Sequence, residues 1–297
     1  MTKKKMTDPR KLYYADKFPD QEQDTPALQK NMDPIPDSGE DSYEGNNRLE
    51  GRNALITGGD SGIGRATAIA YAREGANVAF QFFPGEEEDA NEVKKYIEEA
   101  GQKAALLPYD LREENAATEI VEKAVEALGE LDILVMNAGQ QIAIDSLSDL
   151  SMKQVNDTFQ INIISMFETV KAAEKYLEPG SSIITTTSIQ SYKPSVSLLD
   201  YAATKGAISN FTVALSNYFA EKGIRVNAVA PGPIWTPIQL DHGKPEGALP
   251  SFGQDTPTGR AGQPVELAPV YVLLASEEAS YITGQVYGVT GGQPINT

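Results

Sequence analysis

From Leu49 onward, short runs of apolar and β-branched residues alternate with longer stretches whose apolar positions recur at helical spacing. Short apolar runs bounded by turn residues read as buried strands, and the longer period reads as amphipathic helix. Strands are predicted at 54–57, 77–82, 103–107, 133–137, 182–187, 225–229 and 285–289. Helices are predicted near 63–74, 87–100, 113–128, 151–177, 200–221 and 264–275. This alternation predicts an α/β fold with a doubly wound parallel seven-stranded sheet, in a single domain over 49–297.

Residues 1–48 behave differently. They carry Pro9, Pro19, Pro26, Pro34 and Pro36 among mixed charges and hold no sustained period, so an extension without a core of its own is expected. Tyr13, Tyr14, Phe18, Leu28, Met32 and Ile35 make it more apolar than a linker requires. Either it drapes over the body or a neighbouring subunit, or it is a mobile tail. The acidic run Glu86, Glu87, Glu88 and Asp89 falls at a helix start, where carboxylates favour the macrodipole, and reads as a solvated cap.

At 297 residues the chain is long enough to bury a sizeable core. It has no cysteine and one histidine, which excludes disulfides and thiolate catalysis and opposes a His-rich metal site. A formal charge of −17 opposes nucleic acid and anionic membranes as partners. No apolar run approaches the ~20 residues that span a bilayer, and Lys3, Lys4 and Lys5 are not followed by a signal core. A soluble, cytoplasmic protein is expected.

Gly58, Gly62 and Gly64 lie between a predicted strand and a predicted helix, in Thr57-Gly58-Gly59-Asp60-Ser61-Gly62-Ile63-Gly64. In that setting glycines allow a sharp turn, close approach of a pyrophosphate and close helix packing, so a dinucleotide is the expected ligand. Tyr201 and Lys205 stand four apart, with Ser188 thirteen residues earlier at the end of a β-branched run. The same Tyr/Lys spacing at Tyr13/Lys17 and Tyr218/Lys222 lacks such support. Residues four apart share a helix face, which puts an ammonium beside a phenol.

With Asp110-Leu111, Asn137-Ala138-Gly139, Asn162 and Pro231-Gly232-Pro233-Ile234-Trp235-Thr236, these motifs resemble the short-chain dehydrogenase/reductase family across 49–297. The Pro-rich extension further resembles bacterial general-stress oxidoreductases of that family. The resemblance implies a Rossmann-type fold and hydride transfer between a nicotinamide cofactor and a carbonyl/alcohol substrate. It implies that Asp60, Ser61, Gly62, Ile63 and Gly64 hold the cofactor's phosphates, that Phe82, Asp110 and Leu111 border its adenosine half, and that Asn137, Ala138 and Gly139 line it. Pro231, Gly232, Ile234 and Thr236 would flank the nicotinamide. Tyr201 would be the general acid/base, Lys205 its activator and ribose contact, Ser188 the substrate's hydrogen-bond partner, and Asn162 the holder of a proton-relaying water. A homotetramer is also implied, with 151–177, 200–221 and 285–297 as candidate contacts and a monomer as the alternative. Enoyl reductases of the family space their Tyr and Lys more widely, and position 208 here is Ile.

The second strand ends in Gln81-Phe82-Phe83, without the acid that binds ribose hydroxyls or the base that binds a 2′-phosphate. Ser61 and the acidic Asp60 favour NAD over NADP, with Arg65 the candidate rescuer of a phosphate. Residues 237–257 read as a mobile lid carrying His242, a histidine expected to be solvated. Gln140, Gln190, Tyr192 and Trp235 are candidate pocket walls, suited to a small polar aldehyde, ketone or polyol. The rival from another class is a catalytically silent dinucleotide-binding redox sensor or scaffold.

Overall fold

Seven strands, β1 (Asn53–Thr57), β2 (Asn77–Phe82), β3 (Ala104–Pro108), β4 (Ile133–Met136), β5 (Ser182–Thr186), β6 (Arg225–Pro231) and β7 (Val286–Val289), pair in parallel in the order β3-β2-β1-β4-β5-β6-β7. The computed structural model describes residues 6–295; Lys3–Lys5 and the last two residues of the expected domain lie outside the described residues. The order reverses between β1 and β4, and at such a switch point the strand ends splay to leave a crevice.

Helices cover both faces, which is why β1 is buried along its whole length. Ala54 and Ile56 face α1 (Gly62–Arg73), α2 (Glu87–Glu99) and α7 (Ala268–Ala275). Leu55, one residue out of phase, faces the core built with α3 (Ala116–Leu128), α5 (Ser165–Ala173) and α6 (Leu199–Ala220). The helix predicted over 151–177 is interrupted: α4 (Met152–Phe159) passes through a π-helical turn, Gln160–Ile164, into α5. Such a turn inserts one residue into the ladder and rotates the side chains that follow, which a 3.6-residue pattern does not reveal. Among the described residues, no helix is long and apolar enough to cross a membrane.

The extension packs on the body. Phe18, Ala27 and Met32 bury themselves with Trp235, Leu240, Leu249, Phe252 and Ala261. Farther along, Arg73 donates to the carbonyls of Gly39 and Tyr43, both at 2.6 Å, and the Glu74 carboxylate accepts from Tyr43 Oη and from the Asn46 and Arg48 amides. Of the two alternatives for the extension, the structure shows the one in which it drapes over the body as a bound strap, and the expected mobile lid, 237–257, is pinned beneath it.

Candidate active site

The turn after β1 is shaped by its glycines. Gly58 has φ +63°, and a Cβ there would sit 2.9 Å from Ala138 Cα at the end of β4. A Cβ on Gly64 would lie 1.7 Å from the Gly58 carbonyl oxygen. Only residues without side chains let the start of α1 close onto this turn. Asn137 then ties three strands together, donating to Gly58 O at 3.0 Å and accepting from Thr186 Oγ1 at 3.2 Å, while its amide donates to Thr57 Oγ1.

A cavity of about 920 Å³ opens along this switch point. Gly58, Asp60, Ser61, Gly62 and Ile63 line it together with Asp110, Leu111, Asn137, Ala138 and Gly139, with Ser188, Tyr201 and Lys205, and with Pro231, Gly232, Ile234 and Thr236. Its volume, with orphan amides at the start of α1, fits a dinucleotide.

Three expected contacts do not line the cavity. Gly64 packs against the turn itself. Phe82 lies in the core beside Phe80, because alternation along β2 sends Gln81 and residue 83 to the crevice and 82 away from it. Asn162 is fully buried, its Oδ1 accepting from the Gln140 amide at 2.7 Å and its Nδ2 donating to Gln140 O and Thr204 Oγ1. Its side chain braces the 139–140 loop next to Lys205 rather than presenting free groups to a water. Among the candidate walls, Gln140 and Gln190 face the cavity, whereas Tyr192 does not and Trp235 is sealed under the strap. His242 sits exposed at the mouth.

Lys205 and Tyr201 meet as their spacing predicts. The Lys205 Nζ lies 5.3 Å from the Tyr201 ring centroid and donates to Thr186 O at 2.9 Å. Burial pushes the phenol up to about 12, opposed by the neighbouring Ser188 hydroxyl, and pushes the ammonium down to about 7. Each effect penalises charge in a dry site, so the ionised forms depend on one another. The other two Tyr/Lys pairs stay outside the cavity, and Tyr218 and Lys222 both engage Glu174 on the surface.

Sequence reasoning missed the floor and the acidic end. Gln81 Oε1 accepts the Gly58 amide at 2.9 Å and its Nε2 donates to Tyr109 O at 2.8 Å, a role signalled by one polar residue in an apolar strand. The expected solvated cap at 86–89 holds for the exposed Glu87 and Glu88 but not for its two ends. Glu86 lines the cavity with its carboxyl on the Phe83 amide, and Asp89 is buried against the strap. Burial raises the Glu86 and Asp60 carboxyls; the Asp60 charge raises Glu86 further, and the Asp89 charge raises Asp60. Arg65 is not free to rescue a phosphate, being held by Glu40 at 2.8 Å and Glu92 at 3.0 Å. Arg112, unforeseen, borders the cavity while forked onto Asp110.

A family model described as enoyl-(acyl carrier protein) reductase matches residues 58–293. The chain is 56% identical to the uncharacterized oxidoreductase YhxD of Bacillus subtilis, with 99% of both chains covered. It is 50% identical to general stress protein 39 of the same organism, over 96% of this chain and 99% of that one. It is also 43% identical to glucose and ribitol dehydrogenase of Daucus carota, over 94% and 98%. Among solved structures, a short chain dehydrogenase from Burkholderia cenocepacia in complex with NADP superposes with a TM-score of 0.77 at 31% identity, covering 82% of this chain and 98% of that one. With the parallel sheet, the glycine turn and the Ser188, Tyr201 and Lys205 cluster in one cavity, the chain belongs to the short-chain dehydrogenase/reductase family.

Proposed function

We propose that this protein is an NAD(P)-dependent oxidoreductase that interconverts a carbonyl and an alcohol, with Tyr201 as general acid/base. The observation that carries the reading is that Ser188, Tyr201 and Lys205 line the same cavity as the glycine turn after β1. A bound dinucleotide would supply or accept the hydride at its nicotinamide.

In reduction, Tyr201 gives its proton to the substrate oxygen, and in oxidation it takes the proton back. Lys205 stabilises the resulting phenolate from one helical turn away. Ser188 holds the substrate oxygen near the phenol, worth part of the rate through orientation. Asn162 acts as a positioning residue for the loop that carries Gly139 and Gln140. A binding-only sensor has no use for this proton-handling set. Replacing Tyr201 by Phe tests the reading: carbonyl reduction falls by about 10²- to 10⁴-fold while cofactor still binds. Undiminished reduction by the variant would rule out Tyr201 as the acid.

NAD is the proposed cofactor on charge grounds. A 2′-phosphate at the adenosine end meets Asp60 and Glu86, and both nearby arginines are already paired. The competing observation is the Burkholderia relative solved with NADP; under that reading Arg112 exchanges Asp110 for the phosphate. Titration with NADH and NADPH in parallel separates the two. The substrate class proposed is a small polar aldehyde, ketone or polyol, supported by Gln140, Gln190 and Gln141 in the cavity wall and by the sugar and polyol named for the carrot relative. Self-association, as a tetramer, is proposed on the exposed apolar side chains Ile164, Phe167 and Val213 of the α4–α6 layer.

A further inference from the structure

We propose that the N-terminal strap is a working part of the dinucleotide site: Gln29 caps the phosphate-binding helix at Gly62, so docking of the strap and binding of the cofactor strengthen one another. This rests on the reading of the cavity as a dinucleotide site.

A helix start leaves its first amides without backbone partners. The residue placed to cap α1, Ser61, makes no side-chain cap bond. Gln29, thirty-three residues upstream, does so instead, accepting the Gly62 amide on Oε1 at 2.7 Å. The glutamine is 1% exposed, and its Nε2 is fixed by Ser38 Oγ at 2.9 Å. Its backbone amide and that of Lys30 are both taken by the Asp89 carboxylate on α2. The strap thus spans α1 and α2, the two helices that frame the adenosine end. With Gly62 capped, the amide of Ile63, which lines the cavity, is the one left for an anion.

The strap also reaches the cavity directly and at its far side. Thr25 and Pro26 line the cavity, and Thr25 Oγ1 donates to Asp241 in the lid. Phe18 stacks on Trp235 with ring centroids 3.9 Å apart, and Trp235 Nε1 donates to Pro34 O at 2.7 Å. Trp235 lies between Ile234 and Thr236, both on the cavity wall. A cofactor that touches the turn and the 234–236 loop therefore binds a surface that the strap holds in place. Coupling of this kind is reciprocal: what orders the strap for the cofactor is ordered by the cofactor in turn.

The test uses the full chain, with NADH and NADPH as probes. Gln29→Met keeps the bulk of the side chain and removes the acceptor. We expect its cofactor Kd and KM to rise about 10-fold, by more than kcat falls, as loss of one buried cap implies. In the wild type, saturating cofactor should slow amide hydrogen exchange across residues 25–34. A Gln29→Met Kd within twofold of wild type, or exchange over 25–34 that cofactor leaves unchanged, overturns the proposal. The exchange arm needs no variant to fold. If the wild type binds neither cofactor, the dinucleotide reading itself fails, an outcome distinct from a binding site indifferent to Gln29.

Discussion

Lys205 Nζ lies 5.3 Å from the centroid of the Tyr201 ring, in a site where burial, against the opposing Ser188 hydroxyl, pushes the phenol up to about 12. Reduction needs the proton on Tyr201 and oxidation needs it gone. The kcat/KM for carbonyl reduction should therefore fall as pH rises, and that for alcohol oxidation should rise. The ammonium draws both limbs well below 12, because an opposite charge favours the phenolate. Lys205→Met should move them up again. Parallel pH profiles in the two directions check this, and limbs of the same sign would contradict the assignment.

The same lysine costs the cofactor-free protein stability. Its amine titrates at about 7 when folded against 10.5 as the ordinary value, so the unfolded chain binds its proton more tightly. The penalty is complete below about pH 7 and disappears as pH rises from 7 to 10.5. Lys205→Met should raise the stability of the cofactor-free protein by about 4 kcal/mol at pH 6, after about 1 kcal/mol is lost with the bond to Thr186 O. Thermal melts at a series of pH values should show the gap closing on the alkaline side. A gap that widens there would mean that the buried lysine is not the source.

Glu86 decides the cofactor if the charge argument holds. Glu86→Arg replaces a half-buried acid with a phosphate partner and should shift the NADPH/NADH affinity ratio toward NADPH by about 10- to 100-fold. Glu86→Gln should instead stabilise the free protein progressively as pH climbs above 4.5. The wild-type acid is held above that ordinary value, so folding with it ionised becomes costlier as pH rises. Fluorescence titration and pH-resolved melts read the two effects separately. An unchanged affinity ratio in Glu86→Arg would remove Glu86 from cofactor choice.

Much of this site could be read from local pattern. Tyr201 and Lys205 announce themselves through a period of four residues, and Gln81, missed in the sequence, could have been found through a period of two, because strand alternation and helix pitch are properties of neighbouring positions. Phe82 was misplaced for the same reason: two adjacent phenylalanines give no sign of which faces the crevice. Gln29 and Asp89 were hidden more deeply. Their roles arise from contacts between segments 33 to 60 residues apart, where the partner's position exists only once the sheet has formed. A charged residue at a helix start looks identical whether water or a strap covers it. Trp235 was likewise assigned to the wrong side of its loop, since its apolar bulk says that it is buried and not against what.

The strap's anchor should come loose before the body does. Phe18 is 3% exposed and makes its principal contact with Trp235, so Phe18→Ala removes a stacked ring and should cost about 3–4 kcal/mol at that point. Of the strap, only Tyr43, well away from Phe18, packs against the two helix-faced cores. The loss therefore falls on the contact between strap and loop, as local opening rather than global unfolding. Trp235 is the single tryptophan and reports directly. Its emission should shift to the red in Phe18→Ala at temperatures where the far-UV circular dichroism of the sheet and helices is unchanged. Simultaneous loss of both signals would instead make the strap part of one cooperative unit with the body.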